Sequence, residues 1–139
     1  MKTLRISLLS MFLIILGLAF VSMTLPQTQK KAEPWEVSAK FKNMKNPVAA
    51  DDASVKKGMM AYKKSCASCH GKVGLGDGIK ARGLKTFAGD FSGSEYQGQT
   101  DGEHFYKTKF GRGEMPKYEN KIPDTDIWNI VNYMRTFKK

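Results

Sequence analysis

Cysteine and histidine are scarce in this chain. Of 139 residues, only Cys66 and Cys69 carry a thiol and only His70 and His104 an imidazole. Two thiols three positions apart cannot staple a fold, so a disulfide scaffold is excluded. Acidic residues are also short, 13 against 23 Lys and Arg, for a net charge of +10. Internal repeats and low-complexity tracts are absent, and no segment reads as a convincing strand. The glycine-rich run 71–83 has neither G-x-G-x-x-G in register nor G-K-[ST], so it is not a phosphate-binding loop of either familiar kind. Charge is missing altogether from Ile6 to Gln29.

That uncharged run has two readings. Ile6–Leu25 is mostly Leu, Ile, Phe, Val and Met, and Lys2 and Arg5 precede it. A membrane anchor needs roughly 20 apolar residues, whereas signal-peptide cores run about 7–15 and end in small residues. "GLA" at Gly17–Ala19 offers a cleavage site, but the length favours the anchor. Either way residues 1–25 send the rest of the chain across a bacterial membrane, with the positive end kept inside. The expected location is the cell envelope, on the periplasmic side.

Without Lys2 and Arg5 the exported part keeps 21 basic residues against 13 acids, a net of +8. This suits an acidic protein partner or an anionic membrane. Nucleic acid is not expected: the basic residues are scattered and no recognition motif accompanies them.

Residues 26–51 read as a linker or lead-in, with Pro26, Pro34 and Pro47 biasing their predecessors out of the helical region. Trp35, Val37 and Phe41 are too apolar for a free tether, so part of it is expected to lie on the domain. The domain is placed at 52–139. Asp51, Asp52 and Ser54 suit a helix start, and Val55, Met59, Tyr62 and Cys66 recur at helical spacing. Gly58 leaves room for a crossing helix. "TDGE" at Thr100–Glu103 is a capping box, opening a helix that ends at Gly111. A last helix spans about Asp124–Phe137, with Ile127, Ile130, Val131, Met134 and Phe137 as its buried stripe.

Three chemistries use C-x-x-C. A thioredoxin-like pair needs a strand ahead of Cys66, and none is predicted. Zinc needs four ligands, and adjacent Cys69 and His70 cannot easily reach one tetrahedral ion with Cys66. The third is covalent haem attachment by C-x-x-C-H. Cys66 and Cys69 are i, i+3 and Cys66 and His70 are i, i+4, so all three leave one helical face. That face continues the stripe of Val55, Met59 and Tyr62. This reading joins both thiols to one haem c and makes His70 an axial ligand of its iron.

"CASCHG" on a first helix, a Met-Pro loop and an aromatic C-terminal helix resemble the small monohaem cytochromes c. The resemblance covers about 52–139, and is nearest to the monohaem domains serving bacterial respiratory oxidases and quinol-oxidising complexes. It implies an all-α, cytochrome c-like fold, with N- and C-terminal helices crossing beside the covalent haem. Tyr62, Trp128 and Tyr133 would fill the crossing. It also implies Met115 as sixth ligand. In "GRGEMPKYE", Gly111 and Gly113 let backbone pass close to a haem and Pro116 stiffens the loop beyond. His104 is read as a surface or edge histidine. A carbonyl of the loop around Ile79 is expected to accept the His70 ring N–H.

The expected function is single-electron transfer in a respiratory chain, with no enzyme activity and no small-molecule substrate. The alternative is a haem enzyme or gas sensor with an open sixth position. Lys72, Lys80, Lys85, Lys107, Lys109, Arg112 and Lys117 are expected to ring the haem and meet an acidic redox partner or a respiratory complex.

Overall fold

The computed structural model describes residue 30 and residues 33–139. Among these the fold is all-α, with no strand and two isolated β-bridges, Lys30 to Thr86 and Arg112 to Met115. The helices are α1 (Ala39–Lys42), α2 (Asp52–Ser65), α3 (Ala67–His70), α4 (Ser94–Gln97), α5 (Asp101–Phe110) and α6 (Asp124–Arg135), with a 3₁₀ turn at Ala81–Gly83. None of the described helices is long and apolar enough to cross a membrane. The run at 6–25 lies outside the described residues.

Local chemistry sets the helix ends. Asp51 accepts from the Ser54 N–H at 2.7 Å and donates its own N–H to the Ser54 hydroxyl at 3.2 Å, a reciprocal cap opening α2. Thr100 and Glu103 do the same for α5, at 3.2 and 2.8 Å. Gly111, at φ 60°, closes α5.

The core is the crossing of α2 and α6. Gly58 makes it possible: a Cβ there would overlap the Asn129 carbonyl oxygen and stand 2.5 Å from its carbon. Tyr62, Ile127, Ile130 and Val131 are fully buried around it. Tyr62 meets the rings of Tyr133 and Phe137 edge-on, each at 5.4 Å. Trp128 faces the other way and stacks on Phe105 of α5 at 4.1 Å.

Two details depart from the sequence reading. Helix α6 stops at Arg135, so Phe137 packs from just beyond its end. On α2, Ser54, Gly58 and Tyr62 are the buried face, while Val55 and Met59 are only half-buried.

Residues 33–50 lie on this core. Helix α1 comes so close to α5 that a Cβ at Gly102 would overlap the Phe41 carbonyl. Asn132 of α6 donates to the carbonyls of Val48 and Ala49 at 3.3 and 3.1 Å and accepts from the Asn46 amide at 2.7 Å. Arg135 ties the end of α6 to α5, donating to Asp101 at 2.8 Å and to the carbonyls of Gln97 and Gln99.

Candidate functional site

Helix α2 ends at Ser65, and Cys66 occupies the break before α3. The turn persists across the break: the N–H groups of Cys69 and His70 both bond to the Cys66 carbonyl, at 3.1 and 3.0 Å. Cys66, Cys69 and His70 therefore share one turn, as their spacing suggested. Both thiols are free. Burial, with Cys69 beside it, pushes the Cys66 thiol up to about 12, so it stays protonated.

The chain after His70 is locked. The buried Tyr62 hydroxyl donates to the Gly71 carbonyl at 2.9 Å. Gly78 lies where a Cβ would collide with the Ser68 carbonyl. His70 itself is half-buried, and burial lowers its pKa, against a hydrogen bond with the Ala88 backbone. Its Nδ1 is buried without a hydrogen-bond partner. The expected carbonyl of the Ile79 loop is therefore not on that nitrogen. The loop is instead held to the helix through its donors: the Gly78 and Lys80 N–H groups bond to the Cys69 and Ser68 carbonyls.

Met115 is half-buried on a short reverse turn. Its N–H and C=O both pair with Arg112, each at 3.0 Å, around Gly113 at φ 58°. Three residues on, the Tyr118 hydroxyl donates to the Ser65 carbonyl at 2.7 Å. Burial, then the neighbouring Cys66 and Cys69, push Tyr118 up to about 12. The Met115 loop thus reaches the turn that carries both thiols.

His104 corrects the sequence reading. It is only 2 % exposed, and neither ring nitrogen has a well-aligned hydrogen bond, the Tyr96 backbone being a polar group beside the ring. Burial, followed by Arg135 and Lys107, lowers its pKa to about 3, so it is neutral. It stacks on Tyr96 at 4.1 Å, Tyr96 on Phe91 at 4.2 Å, and Phe91 packs on His70 at 4.5 Å. The sequence held a signal: Gly102, Phe105 and Thr108, all buried, place His104 beside the inner stripe of α5.

Four of the seven expected rim residues are occupied elsewhere. Lys107 bonds to Gln99, Lys109 to Asp124 at 2.8 Å, Lys117 to Glu119, and Arg112 to the carbonyls of Pro34 and Glu33. Lys72, Lys80 and Lys85 remain exposed. Near the first two in sequence are Ile79, 90 % exposed, and Val73, 52 % exposed.

These residues fit a covalently held haem: two free thiols and an imidazole with an orphaned nitrogen on one turn, and a thioether on a loop touching that turn. A zinc site fits less well. Among the described residues no group of three or more His, Cys, Asp and Glu is gathered for a metal ion. His104, the fourth zinc candidate, stands two rings away from His70.

The family model described as "Cytochrome C oxidase, cbb3-type, subunit III" matches residues 53–134, more than half of the chain. No curated protein matches it.

Proposed function

The chain belongs to the cbb3-type cytochrome c oxidase subunit III family, and from that premise we propose that it is a one-electron carrier of a bacterial respiratory chain. One haem is joined to Cys66 and Cys69, with His70 and Met115 as axial ligands. When bound, a c-type haem supplies an iron that cycles between ferrous and ferric at a potential set by its ligands and surroundings. Everything else falls to the polypeptide.

The turn at Cys66–His70 offers two thiols and one imidazole within five residues. Tyr62 fixes the chain immediately after His70 through its bond to Gly71. Phe91 packs on the imidazole and limits its rotation. The Tyr118–Ser65 bond keeps the Met115 loop against the same turn, and this bond is the observation that carries the reading. A sulfur on the sixth position leaves no open site for a substrate, so no enzyme activity is assigned.

Close to His70 in sequence, Val73 and Ile79 are exposed together with Lys72 and Lys80, two apolar and two basic side chains. They suit an acidic protein, either a mobile partner or a respiratory complex. Residues 1–25 serve as anchor or cleaved export signal, residues 26–51 as a lead-in, and the haem domain, 52–139, works on the periplasmic side.

The burial of His104 favours a second reading, in which its imidazole takes the sixth position. Phe91 and Tyr96 stand between it and His70, and both would have to be displaced. Carbon monoxide separates the readings. The wild-type ferrous protein should resist it, Met115→Ala should bind it readily at a lowered potential, and His104→Leu should behave as wild type. Retained resistance in Met115→Ala, lost only when His104→Leu is added, would move the sixth ligand to His104. Immediate binding by the wild type would mean an open position, as in a haem enzyme or gas sensor.

A further inference from the structure

Arg112 is expected to face a redox partner, yet its guanidinium is turned back onto residues 33–35. It donates to the Pro34 carbonyl at 2.9 Å and the Glu33 carbonyl at 2.6 Å. It also lies 4.7 Å from the centre of the half-buried Trp35 ring. Two carbonyls and an aromatic face are a set that only a planar, forked cation satisfies at once.

The other end of Arg112 holds the Met115 turn. Both backbone groups of Met115 pair with Arg112, so whatever fixes one residue fixes the other. The flanking Gly111 and Gly113 have φ of 60° and 58° and no side chains to anchor the turn. Glu114 anchors the opposite side, accepting from the N–H groups of Lys85 and Thr86 at 2.9 and 3.3 Å. That strip is in turn bridged to Lys30, whose carbonyl accepts from the Phe87 N–H at 3.1 Å. The lead-in, the 85–87 strip and the Met115 turn interlock.

We propose that Arg112 is a positioning residue for Met115: clasped by Glu33, Pro34 and Trp35, it holds the Arg112–Met115 turn and keeps the Met115 sulfur on the iron. The lead-in then serves as part of the ligand-holding apparatus, beyond any tethering role. The proposal rests on Met115 being the sixth ligand.

The test uses the full-length haem-loaded protein. Arg112→Lys keeps the charge and loses the fork, Trp35→Ala removes the aromatic face, and Lys121→Ala removes a charge from the neighbouring exposed loop. Carbon monoxide binding to the ferrous form and the sulfur-to-iron charge-transfer band of the ferric form are recorded for each. Arg112→Lys should bind carbon monoxide roughly tenfold faster than wild type, the factor that losing one charge-assisted hydrogen bond carries, and Trp35→Ala roughly threefold faster, the factor that an exposed cation–π contact carries. Their charge-transfer band should weaken, and Lys121→Ala should match wild type. The proposal is overturned if the wild type shows the band and both clasp variants keep it with unchanged carbon monoxide rates, even where their unfolding midpoints fall. If the wild type lacks the band and binds carbon monoxide at once, the Met115 assignment fails first, and the wild type alone reveals it.

Discussion

Replacing Gly58 by alanine inserts one methyl group at the crossing of α2 and α6. The new Cβ would overlap the Asn129 carbonyl oxygen and lie 2.5 Å from its carbon and 3.0 Å from the Ile130 nitrogen. Carbon atoms in contact prefer about 3.5–4.0 Å, so the helices must part by about 1 Å. All three obstructing atoms are backbone, so no side chain can swing aside. Parting loosens Tyr62, Ile127, Ile130 and Val131 together, all fully buried. Overpacking of this kind costs about 1–3 kcal/mol, and a backbone obstruction belongs at the upper end. Alanine returns about 1 kcal/mol through its better helix propensity. The net loss of about 2 kcal/mol should lower Tm by roughly 8–16 °C in a domain of this size. Gly83→Ala is the control: nothing lies within 4 Å of a Cβ there, so its shift should stay within about 0.5 kcal/mol. Thermal unfolding of both haem-loaded variants, followed by circular dichroism, decides the matter. Equal melting of the two would refute the close helix crossing.

Two further outcomes rest on charge. His104 is neutral in the folded protein down to about pH 3, whereas the unfolded chain takes up its proton near pH 6.5. Stability should therefore fall as pH drops from about 6.5 towards 3, by up to about 1.4 kcal/mol per unit. His104→Leu should flatten that limb in pH-resolved denaturant titrations, and an unchanged slope would contradict the burial of a neutral imidazole. Lys72→Glu with Lys80→Glu should slow electron exchange with an acidic partner several-fold at low salt, converging with wild type as the screening length falls below about 10 Å. Identical rates across a salt series would remove these lysines from docking.

The features legible in the sequence are those that neighbours along the chain decide. The Thr100–Glu103 cap, the end of α5 at Gly111 and the shared turn of Cys66, Cys69 and His70 all depend on spacings of three or four residues. Gly58 was legible because a glycine inside a helical stripe asks for a close approach. The fates of His104 and Arg112 depend on contacts beyond their nearest neighbours, and for Arg112 on contacts across a long sequence gap. His104 follows Glu103 in sequence and lies beside the buried stripe of Gly102, Phe105 and Thr108, and the stack on Tyr96 and Phe91 completes its burial. Arg112 looks like one more surface charge until residues 33–35 fold back onto it, nearly 80 positions away. For the same reason the seven-member basic rim could not be pruned in advance. Its paired members find Asp124, Glu119, Gln99 and main-chain carbonyls that composition does not locate.

The central claim is that the two thiols of one turn carry a single haem. Intact-mass measurement after acid–acetone extraction, with peptide mapping across Cys66–His70, tests it most directly. The account predicts that the wild type keeps the mass of one haem on the peptide holding both cysteines, and that Cys66→Ala/Cys69→Ala keeps none. Haem that extracts freely from the wild type, or two unmodified thiols on that peptide, would contradict it.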